Sequence, residues 1–335
     1  MTGLAGWYAG ELRRELMERN AVWARGRAHV ESYGTPPVIV YEPIEERHGN
    51  FFDAAYAAIL ERPEWMRRFD KIHAQGRALP KAESGRRWRE LDSSMSSDAL
   101  LMNVFLGFGA SEQGRLKDAL GIEEEGLPEF GWKARVPLKN GKFDRTEVDM
   151  RWGGLLVEAK LTESDFQTRE ARIVEGYRDF EEVFDCELLP RVAMKTARRR
   201  TAVEFAEEFT QEWEDGGAQT DAATSEVARE YQAALVAQAW EAEPAEIGYA
   251  GYQLIRNVLA AHAAGCSFCV LHDARRPDLR EMWFQVMAAV KQAEMRMRCK
   301  AMTWQELARL APEGLAGFLD RKYGIVARGR EPSKV

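Results

Sequence analysis

The sequence predicts a mixed α/β fold: a helix, a three-stranded antiparallel meander, a second helix and a further strand, with a helical N-terminal part and a helical insertion. Three observations carry this expectation. Lys139-Asn140-Gly141-Lys142 contains Asn-Gly, the strongest short hairpin signal, because both residues accept the left-handed backbone of a tight turn. Gly153-Gly154 separates two β-prone runs and reads as a second two-residue hairpin. Ser93, Ser94, Ser96 and Ser97 supply helix-starting caps before an apolar run that ends at Gly107 and Gly109.

Taken in order, residues 1–33 read as helix, with Trp7, Leu12 and Leu16 on one face. Residues 38–41 form a short strand, and residues 50–60 and 63–73 two short helices, the second with Pro63 near its first turn. Residues 75–87 are a polar loop. The meander runs through a strand at 132–138, the strand carrying Asp149 and the strand carrying Glu158. Residues 162–248 read as a mostly helical insertion, with an amphipathic stretch at 166–184 and a helix at 227–240. A helix from Tyr252 and a fourth strand at 266–272 follow. A helix at 282–295, a last strand at 298–303 and a helix from Gln305 complete the chain, with residues 328–335 expected to be disordered. The resulting plan is a helical N-terminal region at 1–92, a core at 93–305 holding the insertion, and a helical tail at 306–335.

The chain has 335 residues, 45% hydrophobic and 30% charged, which describes a soluble globular protein with a sizeable core. No run approaches the roughly eighteen apolar residues of a membrane span. The start of the chain has no apolar signal core, so the expected compartment is the cytoplasm. A net charge of -7 argues against a protein that coats nucleic acid with its whole surface, though not against a locally basic groove. Four scattered cysteines make no disulfide framework; Cys266 and Cys269 have metal or redox spacing but no second pair, and are expected in the core.

The chemistry concentrates in residues 145–161. If Gly153-Gly154 is the loop, Trp152 faces Leu155, Asp149 lies opposite Glu158, and Glu147 lies opposite Lys160. Opposed residues on one face have Cβ atoms about 4.5–5.5 Å apart, and like charges there repel. A hard divalent cation is the simplest compensation, since Mg²⁺ is typically held by one or two carboxylates, waters and phosphate oxygens. Lys160 projects from the same face, placed to orient or deprotonate water or to neutralise a phosphoryl group. Asp149, Glu158 and Lys160 therefore form a candidate phosphodiesterase site. The bland alternative is a structural ion cluster.

Asp149 followed by Glu158-Ala159-Lys160 resembles the motif of the PD-(D/E)XK nuclease superfamily, with Val148 where the name has Pro. Arg87-Trp88-Arg89-Glu90-Leu91, Ser96-Ser97-Asp98-Ala99 and Asn103-Val104-Phe105 resemble a segment of one group of restriction-endonuclease-like bacterial proteins, the PGN_0703-like group. Residues 251–257 resemble the helix that follows the motif there, and the resemblance spans roughly residues 45 to 305. It implies a restriction-endonuclease-like core and metal-dependent hydrolysis of phosphodiester bonds, most readily in DNA. On it, Asp149, Glu158 and the Ala159 carbonyl hold Mg²⁺ or Mn²⁺, Lys160 positions water or phosphate, and Gln253 touches the scissile phosphate or water. Asp98 would be an extra acidic residue, the plainer reading being a helix N-terminal charge. Lys195, Arg198, Arg199 and Arg200 are candidate phosphate contacts. The expected partner is nucleic acid; a homodimer is left open. Two other classes stand beside this one: a nucleic-acid-binding protein that has lost cleavage, and an interaction subunit of a defence or repair complex.

Overall fold

A computed structural model of the chain describes residues 2–73, 79–80, 87–109, 112–194 and 246–326. The start of the chain forms α1 (Thr2–Trp23), which ends ten residues earlier than the 33 expected from sequence; Leu12 and Leu16 are buried on it, whereas Trp7, expected on the same face, is exposed. The chain then turns into β1 (His29–Glu31), paired antiparallel with β2 (Ile39–Tyr41), and a small pair follows, β3 (Pro43–Ile44) with β4 (Arg47–His48). Two short helices come next, α2 (Asp53–Leu60) and α3 (Pro63–Met66), then a 3₁₀ turn at Arg67–Asp70. Pro63 sits at the first turn of α3, where its missing N–H costs nothing.

The serine cluster starts α4 (Ser97–Gly107): Ser96 is the cap, and its hydroxyl accepts the Ala99 N–H at 3.1 Å. After α5 (Gln113–Leu120) comes the sheet that organises the molecule. Its strands are β5 (Glu129–Lys133), β8 (Glu147–Trp152), β9 (Leu155–Ala159), β13 (Ser267–His272) and β14 (Cys299–Thr303), in the order β14-β13-β9-β8-β5. The first three in sequence are antiparallel, and β13 and β14 run parallel to β9. The meander is thus present, but the strand expected at 132–138 is divided. Glu129–Lys133 pairs with β8, whereas β6 (Val136–Pro137) turns away to pair with β7 (Phe143–Asp144) across the Asn-Gly hairpin. The hairpin closes with the Leu138 N–H on the Lys142 carbonyl, which draws residues 136–144 off the main sheet.

The two faces of this sheet bury separate cores. Leu156, Phe268 and Val270 pack with α8 (Tyr252–Ala264) and with Val174, Tyr177, Phe180 and Phe184. Met150, Trp152, Leu155, Val157 and Leu271 pack with α1, α4, α11 (Trp304–Ala308) and α12 (Glu313–Tyr323). Covered on both sides, β9 is buried along its whole length, the ordinary condition of a central strand with both faces packed. Cys266 belongs to the first core and Cys269 to the second, and all four cysteines are free.

Residues 166–184 are not one amphipathic helix. They form β10 (Thr168–Glu170), α6 (Ala171–Val174) and α7 (Phe180–Val183), with a turn at Gly176. The helical spacing of Val174, Tyr177, Phe180 and Phe184 reports a shared buried side across the turn. β10 joins β11 (Arg191–Met194) and β12 (Glu246–Ala250) in a second antiparallel sheet, order β10-β12-β11, so the described part of the insertion is not mostly helical. The helix expected at 282–295 is two helices, α9 (Pro277–Ala288) and α10 (Ala293–Arg298), because Val290 leaves the helix to bridge Phe184. The basic run 195–200, the helix at 227–240, most of the loop 75–87 and the tail 328–335 lie outside the described residues. Among the described residues no helix is long and apolar enough to cross a membrane.

Candidate active site

The Gly-Gly turn sets the register expected of it. Gly153 takes φ +55°, Trp152 pairs with Leu155, Arg151 with Leu156 and Met150 with Val157. One step further along the same count stand Asp149 and Glu158. The ladder has opened there, and Asp149 reaches across it: its Oδ2 accepts the Ala159 N–H at 2.8 Å. Glu158 is 3% exposed and both its oxygens are engaged. Oε1 accepts from the Lys160 ammonium at 2.7 Å, and Oε2 accepts from the Asn257 amide at 2.8 Å.

Lys160 itself is 4% exposed, although it lies one residue past the end of β9. Its N–H donates to the Leu271 carbonyl at 2.8 Å, and its own carbonyl accepts the Trp304 indole N–H at 2.9 Å. The expected opposition of Glu147 to Lys160 does not form. The β8–β9 pairing stops at Met150, Lys160 turns to Glu158, and Glu147 turns to Arg68.

Three acids meet at this point. Asp98, in the first turn of α4, is 5% exposed and accepts on one oxygen from both Arg68 (2.7 Å) and Lys71 (2.9 Å). Besides its place in the first turn of a helix, Asp98 is thus paired with two cations, and its charge is one of the causes that raise the Asp149 carboxyl. Asp149 is half-buried, with protein packed round its carboxyl. That desolvation, then the charges of Glu158 and Asp98, push its carboxyl well above the usual carboxylate range. Desolvation alone would lower the Lys160 ammonium, but Glu158, Glu163 and Asp149 outweigh it and hold the amine above its ordinary value. The lowered pKa that a lysine base needs is absent from this state, so Lys160 is a charged donor here.

The site also draws on residues beyond the hairpin: Asn257 and Arg256, which the resemblance of residues 251–257 offered as further candidates beside Gln253, and Arg68 and Lys71, which the sequence did not single out. Asn257 lies one helical turn past Gln253 on α8, and its amide oxygen accepts from Arg256 at 2.6 Å. Arg256 in turn holds the Asp144 carboxylate at 3.1 Å and the Thr146 carbonyl. Spacing of four residues on a helix gives a common face, which was the available signal for Asn257. Gln253 is half-buried, with its backbone N–H on the Phe166 carbonyl. Arg68 and Lys71 come from the N-terminal region, and nothing local in the sequence announced them. The candidate contacts Lys195, Arg198, Arg199 and Arg200 lie outside the described residues. A cavity of about 1060 Å³ opens elsewhere, beside Trp23, Arg27 and Phe318, and none of Asp149, Glu158 or Lys160 lines it.

These residues suit a hard divalent cation in one specific respect. Lys160 is committed to Glu158, and Arg68 and Lys71 to Asp98 and Glu147. Asp149 is left crowded by acids with a backbone N–H as its bonded partner. Among the described residues no three His, Cys, Asp or Glu side chains form a metal cage. The set expected from the sequence, two carboxylates and the Ala159 carbonyl, is of the sparse oxygen kind that Mg²⁺ completes with water and phosphate.

Residues 18–324 match the model of a protein family described as Restriction Endonuclease associating with ARP. No curated protein and no solved structure matches the chain.

Proposed function

The chain belongs to that family of restriction endonucleases, and on this premise we propose that it hydrolyses phosphodiester bonds in DNA with the help of Mg²⁺ or Mn²⁺. The observation that carries the reading is the juxtaposition of a buried, lysine-paired Glu158 with a crowded Asp149 one register step beyond the β8–β9 ladder. Asp149, Glu158 and the Ala159 carbonyl would hold the cation. Bound there, it would supply water activation and stabilisation of charge on the phosphate.

The chain's own groups do the rest. Lys160, held as an ammonium, offers a charged hydrogen-bond donor to a phosphate oxygen once Glu158 is shared with a cation. Asn257 keeps the Glu158 carboxylate oriented from the helix side. Gln253, at the start of the same helix, is proposed to meet the scissile phosphate or the attacking water. A second reading draws on the family's description: the chain acts as an interaction subunit whose cleavage needs a protein partner.

The test is purified protein with Mg²⁺ or Mn²⁺ on linear, circular and single-stranded DNA. Wild-type protein should cut, and Asp149→Asn, Glu158→Gln and Lys160→Ala should each abolish turnover. Cutting that survives all three substitutions would end the nuclease reading at this site, and cutting only with a partner added would favour the second reading.

A further inference from the structure

The N-terminal region sends two cations into the acid cluster. Arg68, on the 3₁₀ turn after α3, is 7% exposed and bridges Asp98 and Glu147 at 2.7 and 2.5 Å. Its route across the sheet edge depends on Gly131. In the β5–β8 pairing, Phe130 faces Met150 and Trp132 faces Val148, so Gly131 falls level with Asp149. Gly131 takes φ +69°, and a Cβ there would collide with the Arg68 guanidinium. A backbone that only glycine adopts readily thus leaves room for an arginine beside the acids.

Lys71 repeats the same pairing from the solvent side. Its ammonium is 2.9 Å from Asp98 and 3.6 Å from Glu147, and its side chain is 41% exposed. Arg68 already touches both acids from within, so Lys71 is a second cation on carboxylates that each have another partner. It is a partly exposed cation over Asp98 and Glu147, in a chain whose net charge is -7.

We propose that Lys71 is a substrate-binding residue, contacting a phosphate of the DNA backbone beside the bond to be cut, with Arg68 as the buried residue that positions it and the acids. This deepens the nuclease reading and rests on it for the identity of the ligand. A lysine suits the role as a compact point charge on a flexible stem, able to exchange a carboxylate for a phosphate oxygen.

The probe is a fluorescein-labelled DNA duplex, followed by anisotropy over a range of salt, with Ca²⁺ and without divalent cation. Lys71→Met should reduce the slope of log affinity against log salt by about 0.9, the value of one phosphate contact on duplex DNA. Its melting temperature should be unchanged, and Lys71→Arg should keep the wild-type slope. The pair Lys71→Met with Asp98→Asn should remain weak. Restoration in that pair would mean that the lysine acts only by neutralising Asp98, and would overturn the proposal. So would an unchanged slope in Lys71→Met, or a wild-type protein that binds no duplex. Cleavage by the wild type with Mg²⁺, measured alongside, judges the nuclease reading separately. Protein that binds through Lys71 but cuts nothing keeps this proposal and loses the other, and protein that cuts while Lys71→Met binds normally does the reverse.

Discussion

Asp149 and Glu158 look equivalent in sequence, and simple repulsion would make either one dispensable for stability. The structure separates them. Asp149 has a raised pKa, so the folded state holds a proton that the unfolded chain has released. Stability is then lost as pH climbs from the unfolded value of about 3.9 through the raised folded value. Without divalent cation, Asp149→Asn should melt like the wild type near pH 4 and increasingly above it as pH rises; scanning calorimetry across that range checks this. Glu158→Gln should do the opposite. It strips the charged partner from buried Lys160, a loss of about 3–5 kcal/mol for one member of a buried pair, readable by denaturant titration. Asn257→Ala removes an orienting hydrogen bond from Glu158. It should reduce metal affinity or kcat by about 10–100-fold, as outer partners of metal ligands do. Wild-type kinetics in Asn257→Ala would show that Glu158 needs no such brace.

At the scale of elements, what the sequence reveals is what neighbours in sequence decide. The Gly153-Gly154 turn fixes the β8–β9 register from residues within a few positions of it, and Ser96 caps α4 from one turn away. Helical spacing misleads at 166–184, because a turn at Gly176 can preserve a buried side without preserving a helix. The split of the strand at 132–138 was equally hidden: which of two hairpins claims residues 136–137 is decided by pairing, not by propensity. Gly131 illustrates a constraint read only in three dimensions. Gly131→Ala should cost about 1–2 kcal/mol for the left-handed backbone alone. It should cost more where Arg68 is present, because the methyl collides with the guanidinium. A double-mutant cycle with Arg68→Ala measures the coupling, which should vanish when the guanidinium is gone. Equal costs in both backgrounds would mean that Arg68 simply moves aside.

Across the whole molecule, the candidate site is assembled from parts distant in sequence. Arg68 and Lys71 come from the N-terminal region, Asp98 from α4, Asp149, Glu158 and Lys160 from the hairpin, and Asn257 from α8. The hairpin triad was legible because its chemistry is contiguous. The cations Arg68 and Lys71 were not, because they reach their acids by tertiary packing across 27 to 79 residues, and Asn257 was offered by its stretch of helix with no sign that it would meet Glu158, 99 residues away. The same packing explains why a polar face that alternation would leave in solvent is buried: α8 lies over it and brings Arg256 and Asn257 to its charges. On the proposed reading, a cation bound at this acidic site is what would make it receptive to a phosphate backbone. The most direct test is a calorimetric titration of Mg²⁺ into wild-type protein and into Asp149→Asn, both without DNA. The account predicts a binding event in the wild type that is lost in the variant, whose fold is otherwise intact. Equal binding by the two proteins, or no binding by the wild type in Mg²⁺ and in Mn²⁺, would contradict it.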